Sequence, residues 1–98
     1  MWRARTRAFR EDEPVRHVSA AGLDELDDLL LELRRVDGLT EKKRGVFYRG
    51  SRAFLHFHED PSGLYADVRI EAEFERMRVT TKVERKRLLS IARAAVRR

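Results

Sequence analysis

The chain has 98 residues, which is long enough for one domain with a modest core and too short for two. It contains no cysteine, which excludes disulfides and thiolate metal ligands, and no apolar run is near the roughly 20 residues that span a bilayer. The net charge of +5 favours polyanionic partners, although 40% charged residues of both signs are also typical of an ordinary surface. An apolar signal-peptide segment is not visible, so we expect a cytoplasmic protein without a membrane partner.

Residues 1–13 hold four arginines followed by three acidic residues. A charged terminus with few apolar anchors favours a mobile tail. We therefore predict a mobile charged tail over residues 1–13 and a single domain over residues 14–98. Val15 to Val18 would add a short edge strand at the start of this domain.

A helical pattern begins after Ser19, which is a suitable N-cap residue. Acidic residues lie early and arginines late in the segment, as the helix dipole favours, and Gly38 is the expected C′ residue. Leu39 to Arg44 is predicted to be a basic connection that leads into a sheet. The apolar stripe of this amphipathic helix consists of Leu23, Leu26, Leu30 and Leu33.

The stretch from Val46 to Ile70 predicts the centre of the sheet. Gly50-Ser51 suits a type II′ hairpin turn, and this turn places Phe47 opposite Phe54. Alternation along the two strands then separates two faces. We expect the core face to carry Val46, Tyr48, Ala53, Leu55 and Phe57, and the opposite face to carry Phe47, Arg49, Arg52, Phe54, His56 and His58.

A second turn around Pro61 leads into a third strand, in which Tyr65, Asp67 and Arg69 join the face of His56. After a predicted turn over Glu71 to Glu75, a fourth strand follows. The last helix then opens with a capping box. The residues that indicate these elements are Leu64, Ala66, Val68 and Ile70 for the third strand, Met77 and Val79 for the fourth, and Thr81 with Glu84 for the capping box.

The predicted order is a helix, three or four antiparallel strands and a second helix. Both helices have an apolar stripe, and the sheet has one apolar face. The predicted fold class is therefore α+β, a two-layer sandwich with both helices on the sheet face of Leu55 and Phe57. We expect a monomer or a weak homodimer.

The sequence contains three short motifs: Asp37-Gly38-Leu39-Thr40-Glu41-Lys42, Gly45-Val46-Phe47-Tyr48 and Arg52-Ala53-Phe54-Leu55-His56. They resemble the MmcQ/YjbR-like group of small bacterial proteins, and the resemblance extends over roughly Leu29 to Val96. It implies a compact α+β fold of the kind called a double wing, often labelled DNA-binding, and it supplies no catalytic residues.

Basic residues cluster before the sheet and in the last helix, and others lie on the face of His56. Because lysine and arginine contact nucleic-acid phosphates, we predict a non-enzymatic binding domain with nucleic acid as the leading ligand class. The candidate nucleic-acid-binding residues are Lys42, Lys43, Arg44, Arg49, Arg52, Arg85, Lys86 and Arg87.

Three aromatic residues, Phe47, Phe54 and Tyr65, are expected on the same face as Arg49 and Arg52. There they would stack on single-stranded bases. Alternatively, they would form a protein-interaction or dimerisation face, since exposed aromatic patches usually contact something. A protein-interaction module is therefore the alternative function.

His56 and His58 share one strand face, so their imidazoles could converge on a metal, with Glu59, Asp60 or Asp67 as a third ligand. Nothing in the sequence fixes the geometry of such a site or supplies its second shell, so we predict no bound metal and no cofactor. A metal-dependent enzyme is the third hypothesis. The sequence has no phosphate-binding loop and no Ser-His-Asp order, and we predict no catalytic residues.

Overall fold

The computed structural model of the protein describes residues 16–97, so the predicted tail over residues 1–13 lies outside the described residues. The predicted α+β class is confirmed. The described chain has six strands rather than three or four, because Leu39–Lys43 is a strand and not a connection and because Arg16–His17 adds a short edge strand. In chain order the elements are β1 (Arg16–His17), α1 (Ala20–Glu25), α2 (Asp27–Arg34), β2 (Leu39–Lys43), β3 (Val46–Arg49), β4 (Arg52–Asp60), β5 (Gly63–Arg69), β6 (Phe74–Arg78) and α3 (Lys82–Val96).

The strands form one antiparallel sheet in the order β2-β3-β4-β5-β6. The short strand β1 lies beside β4, where His17 pairs with His58. The edge strand predicted near the start of the domain is confirmed for Arg16–His17 alone. Because β4 pairs with β1, β3 and β5, it is the strand around which the sheet is built.

The predicted first helix starts where expected but is divided into α1 and α2. Ser19 Oγ accepts a hydrogen bond from Gly22 N at 3.1 Å, and Glu59 Oε1 accepts hydrogen bonds from Ser19 N and Oγ. Leu26 has φ −92° and ψ 8°, which interrupts the regular helix. Leu30 N still donates to Leu26 O at 2.9 Å, so α2 continues directly from α1.

Gly38 has φ +100°, but it is not the C′ residue, since the C-cap of α2 is Arg35. Leu39 N donates to Val36 O at 3.2 Å, which places Gly38 third in a four-residue turn leading into β2. A left-handed φ at this turn position favours glycine. A Cβ there would also lie 2.9 Å from Cγ1 of Val96, so α3 packs closely over this turn.

The hairpin between β3 and β4 has the predicted turn but only part of the predicted register. Gly50 has φ +64° while Ser51 has no positive φ, which is the type II′ pattern. Arg49 lies opposite Arg52, as this turn requires. Tyr48 lies opposite Ala53 in the next pair, and the register changes beyond this pair.

A β-bulge at Phe54 changes the face assignment of this hairpin. Tyr48 pairs with Ala53, but Phe47 pairs with Leu55, so Phe54 is an extra residue on β4. Phe47, Phe54 and Leu55 are all buried. The predicted face assignment is therefore wrong for β3 and for the start of β4: Phe47 faces the core, and the half-buried Tyr48 and Ala53 face the opposite side.

One hydrophobic core contains residues of all three helices and of β3, β4 and β5. Leu55 and Phe57 belong to this core, as expected if the helices pack against their side of the sheet. No helix within residues 16–97 is long and apolar enough to cross a membrane. The buried residues of this core are Leu23, Leu26, Leu29, Leu30, Leu33, Phe47, Phe54, Leu55, Phe57, Leu64, Ala66, Val68, Val79, Leu88, Ala92 and Ala95.

The end of the chain follows its predicted pattern. The predicted fourth strand is β6, in which Met77 pairs with Ala66 and packs against the core. Val79, just after this strand, is fully buried. The capping box of α3 is confirmed, since Glu84 N donates to Thr81 Oγ1 at 3.2 Å and Thr81 N donates to Glu84 Oε1 at 3.0 Å.

Candidate functional site

The sheet face opposite Leu55 gathers titratable side chains from three adjacent strands. His56 of β4 pairs with Asp67 of β5, and Asp67 pairs with Arg76 of β6. His58 lies two residues along β4 and therefore projects from the same face. We call His56, His58, Asp67 and Arg76 the histidine cluster.

The centre of the histidine cluster is a buried ion pair between Asp67 and Arg76. Arg76 Nε donates to Asp67 Oδ1 at 2.8 Å, and Nη2 donates to Oδ2 at 3.0 Å. The side chains of Arg76 and Asp67 are 7% and 4% exposed. A two-pronged contact of this kind fixes the orientation of the carboxylate as well as its charge.

The pKa of Asp67 depends on its burial and on its contacts with His58 and Arg76. Burial on its own would raise the pKa of this carboxyl, but the nearby His58 imidazole and the Arg76 guanidinium outweigh burial and lower the pKa to about 2. The carboxylate is therefore ionised throughout the neutral range. The cluster thus holds one fixed negative and one fixed positive charge in direct contact.

His58 lies between the ion pair and a second imidazole. Its Nε2 is 2.9 Å from Asp67 Oδ2, and its ring stacks on that of His17 with the ring centres 5.7 Å apart. The contact with Asp67 is close but lacks hydrogen-bond angles, so both ring nitrogens of His58 are buried without a hydrogen bond among the described residues. A buried polar group in this condition typically costs about 1–3 kcal/mol.

His56 forms the accessible side of the cluster. Its ring lies edge-on to that of His58, with the ring centres 5.0 Å apart, and it also contacts the ring of Phe74 at 5.0 Å. Burial lowers the pKa of His56 below its ordinary value, and the negative charge of Asp67 offsets this effect in part. A neutral imidazole at neutral pH follows from this environment.

The geometry brings together three of the side chains that the sequence suggested as metal ligands. One ligand atom each from His56, His58 and Asp67 lies within 4.8 Å of the other two. Glu59 and Asp60, the other two carboxylates considered, are hydrogen-bonded at the end of β4 instead. Sequence analysis therefore identified the possible ligands but not which carboxylate would join them.

Sequence analysis missed Arg76 and Phe74 because Glu71 to Glu75 was predicted to be a turn. In the structure β6 begins at Phe74. The signal was present in the alternation of Arg76 with Met77, since Met77 was already expected to face the core. An arginine on the strand next to Asp67 and on the same face is the ordinary partner for a buried carboxylate.

Two of the candidate nucleic-acid-binding arginines have structural roles. Arg49 projects from the core side of β3, and its Nη1 donates to the carbonyl oxygen of Ala95 at 3.1 Å. Arg85 donates from Nε to Val79 O and from Nη2 to Thr80 O, both at 2.8 Å. These guanidinium groups satisfy backbone carbonyls of the fold, so they are poor candidates for contacts with a ligand.

The charge of the basic residues at the end of β2, Lys42 to Arg44, is also partly neutralised. Arg44 Nη2 lies 2.7 Å from Asp24 Oδ1 and 3.3 Å from Asp27 Oδ1. The ammonium of Lys42 lies 5.4 Å from the centre of the Tyr48 ring. Both side chains are exposed, but the acidic first helix neutralises much of the charge that this cluster would present.

The remaining four candidates, Lys43, Arg52, Lys86 and Arg87, are exposed. None of the four forms an ion pair with another residue in the range 16–97. Lys86 and Arg87 lie on α3, whereas Lys43 ends β2 and Arg52 begins β4. The structure therefore leaves free charge at both places, with adjacent cations on the helix.

The predicted aromatic interaction face does not exist as such. Phe47 is 0% exposed and Phe54 is 2% exposed, because the bulge turns both rings into the core. Tyr65 is half-buried on the face of the histidine cluster, and its hydroxyl lies 2.6 Å from Ser62 Oγ. Phe47 and Phe54 are therefore core residues, and neither base stacking nor a protein interface can use them.

Comparison of the chain with protein-family models, with curated proteins and with solved structures gives no match. The resemblance to the MmcQ/YjbR-like group therefore stays a prediction.

Proposed function

We propose that the protein is a non-enzymatic binding domain whose ligand is nucleic acid, and that the exposed face of α3 makes the contacts. The observation that carries this proposal is a set of exposed cations on α3 that form no ion pair within residues 16–97. Phosphate groups bind such cations with release of condensed counterions. These residues are Lys82, Lys86 and Arg87 in α3 and Arg97 at its C-cap.

The arrangement of these cations around the helix suits a duplex. At 3.6 residues per turn, the exposed side chains of α3 cover an arc of about 140°. Lys82, Lys86 and Arg97 lie toward one border of this arc and Arg87 lies at the other. Exposed Val83, which is 73% exposed, and the small residues Ser90 and Ala94 lie between them.

Such an arc places three cations along one half and one cation at the opposite border, with small or apolar groups between them. A helix of the 15 residues of α3 is about 22 Å long, and an α-helix fits the major groove of B-form DNA. The predicted resemblance to MmcQ/YjbR-like proteins, whose fold is often labelled DNA-binding, points to the same ligand. We therefore place α3 along the groove, with its cations on the flanking phosphates.

Two pairs of substitutions with equal charge change test this proposal. Lys86→Gln with Arg87→Gln removes two charges from α3, and Lys43→Gln with Arg52→Gln removes two exposed charges elsewhere. Each phosphate contact makes the affinity fall about threefold to fourfold for every fourfold rise in salt, so the loss of a contact makes binding less dependent on salt. We expect the α3 pair to weaken binding to mixed-sequence duplex DNA at least tenfold and the control pair to weaken it much less.

The opposite order of the two pairs would contradict the proposal, because it would place the interface at the strand ends. All four residues are exposed, so circular dichroism should show that both variants keep the fold. Arg85 is left unchanged, since its hydrogen bonds to Val79 and Thr80 would make any loss of binding ambiguous.

A further inference from the structure

We infer that His56, His58 and Asp67 form a binding site for a divalent transition-metal ion of the zinc type. The inference goes beyond nucleic-acid binding and reverses the expectation from sequence that no metal is bound. That expectation depended on the absence of a fixed geometry and of a second shell. The structure supplies a fixed orientation and a second-shell partner for one ligand, because Arg76 holds the carboxylate of Asp67 through two hydrogen bonds.

The three side chains are close to the positions that an ion would require. Their ligand atoms lie within 4.8 Å of one another, and His58 Nε2 is already 2.9 Å from Asp67 Oδ2. Tetrahedral zinc with bonds of about 2.0–2.1 Å holds its ligand atoms about 3.3 Å apart. Small rotations of the His56 ring would therefore close the site, while the two buried ligands remain nearly in place.

His58 is the observation that favours an ion over a simple polar cluster. Both of its ring nitrogens are buried without a hydrogen bond among the described residues, although one faces a carboxylate oxygen at close range. An ion between His58 Nε2 and Asp67 Oδ2 would give this nitrogen a partner with suitable direction. Nitrogen ligands on two of three positions select zinc-type ions over magnesium or calcium.

Arg76 has two opposite effects on metal binding at this site. Its positive charge lowers the affinity for any cation, so we expect weaker binding than in a site of three histidines. Its two hydrogen bonds leave the second lone pair of Asp67 Oδ2 free, and they hold the carboxylate in one orientation. Carboxylates that bind a metal ion are typically held in this way by hydrogen bonds from second-shell groups.

Of the three proposed ligands, His56 lines a surface hollow, whereas His58 and Asp67 do not line it. His56 borders a surface hollow of about 340 Å³, which His17, Tyr48 and Ala53 also line. Three protein ligands leave at least one position of a zinc ion for water or another small ligand. The hollow is therefore the direction from which such a ligand would arrive.

The test is calorimetric titration of the full chain with zinc chloride after treatment with a chelator. We expect one ion per chain, and we expect His56→Gln and His58→Gln each to lower the affinity at least tenfold. The matched control is His17→Gln, which removes an exposed imidazole that contacts His58 but is not among the three ligands; it should leave the affinity nearly unchanged. Cobalt bound in place of zinc should give the intense visible absorption of a four-coordinate ion.

Absence of binding at millimolar zinc would overturn the inference. An equal loss in His17→Gln and His56→Gln would also overturn it, because binding would then depend on surface imidazoles and not on the proposed triad. His58→Gln changes a buried residue and could unfold the protein. His56→Gln, which changes a half-buried residue, then decides the matter together with the circular dichroism of both variants.

Discussion

Replacing Arg76 by methionine should be among the most damaging single substitutions in this protein. The change removes the guanidinium and leaves Asp67 ionised and 2% exposed, with no directional partner. Removal of one member of a buried ion pair typically costs about 3–5 kcal/mol. Since small domains have total stabilities of about 5–15 kcal/mol, we expect a large shift of the urea midpoint with little change in slope.

The pKa of Asp67 gives a second magnitude, which covers the contacts of this carboxylate with His58 and Arg76 together. A pKa of about 2 against the ordinary 3.8 corresponds to about 2 kcal/mol of stability at neutral pH. Because the pKa is lowered, this contribution is complete above pH 3.8 and is lost as the pH falls toward 2. The difference in stability between the natural chain and Arg76→Met should therefore shrink over the same interval.

The control for this prediction is the double substitution Asp67→Leu with Arg76→Met. It removes both charges and replaces them with apolar groups of similar volume, which is often neutral or stabilising. All unfolding curves are measured with a chelator present, so that metal binding does not contribute. A cost below about 1 kcal/mol for Arg76→Met alone would refute the reasoning, because it would show that the pair is hydrated in solution.

Three further substitutions test the fold. Phe54→Ala should lower the free energy of unfolding by about 3–5 kcal/mol, as for a core phenylalanine, whereas the exposed position predicted from sequence would give a change near zero in urea unfolding. Gly38→Ala should lower the thermal midpoint, since a left-handed φ costs roughly 1–2 kcal/mol and the added Cβ would collide with Val96. Glu41→Gln removes a carboxylate whose pKa is lowered chiefly by hydrogen bonding from Arg34, and the partly exposed pair should contribute about 1 kcal/mol or less. This contribution is complete above the ordinary pKa of 4.5 and is lost as the pH falls through the lowered pKa, so unfolding curves of the two chains should converge in acid.

The helices could be predicted well because several local signals agree. Ser19 and the pair Thr81 with Glu84 are caps whose chemistry is readable from the residue types, and both caps are formed. The break at Leu26 could not be predicted, since leucine is a good helix former and nothing in its neighbours disfavours a continuous helix. Leu26 is fully buried at this break.

The faces of the first hairpin could not be predicted because its pattern is ambiguous. Val46, Phe47 and Tyr48 are all apolar, and so are the consecutive residues Phe54 and Leu55. Alternation assigns a face only when apolar and polar residues differ, and an extra residue in one strand reverses the assignment. The turn was correct, but it fixes the register only up to the bulge.

The candidate sites show a similar limit. The sequence shows that His56, His58 and Asp67 share a face, since this follows from strand period and pairing. It does not show that Arg76 lies beside Asp67, because that depends on where the next strand begins. Nor does it show which arginines are free, since the partners of Arg85 are backbone carbonyls close to it in the fold.

The most direct test of the account is the affinity of the unaltered chain for mixed-sequence duplex DNA, measured by fluorescence anisotropy over a range of salt concentrations. With Lys82, Lys86, Arg87 and Arg97 on phosphates, the logarithm of the affinity should fall with the logarithm of salt with a slope of about −3.6 or steeper. The slope for Lys86→Gln with Arg87→Gln should be smaller in magnitude by about 1.8. Absence of binding at about 50 mM salt, or equal slopes for the two proteins, would contradict the proposal that α3 binds nucleic acid.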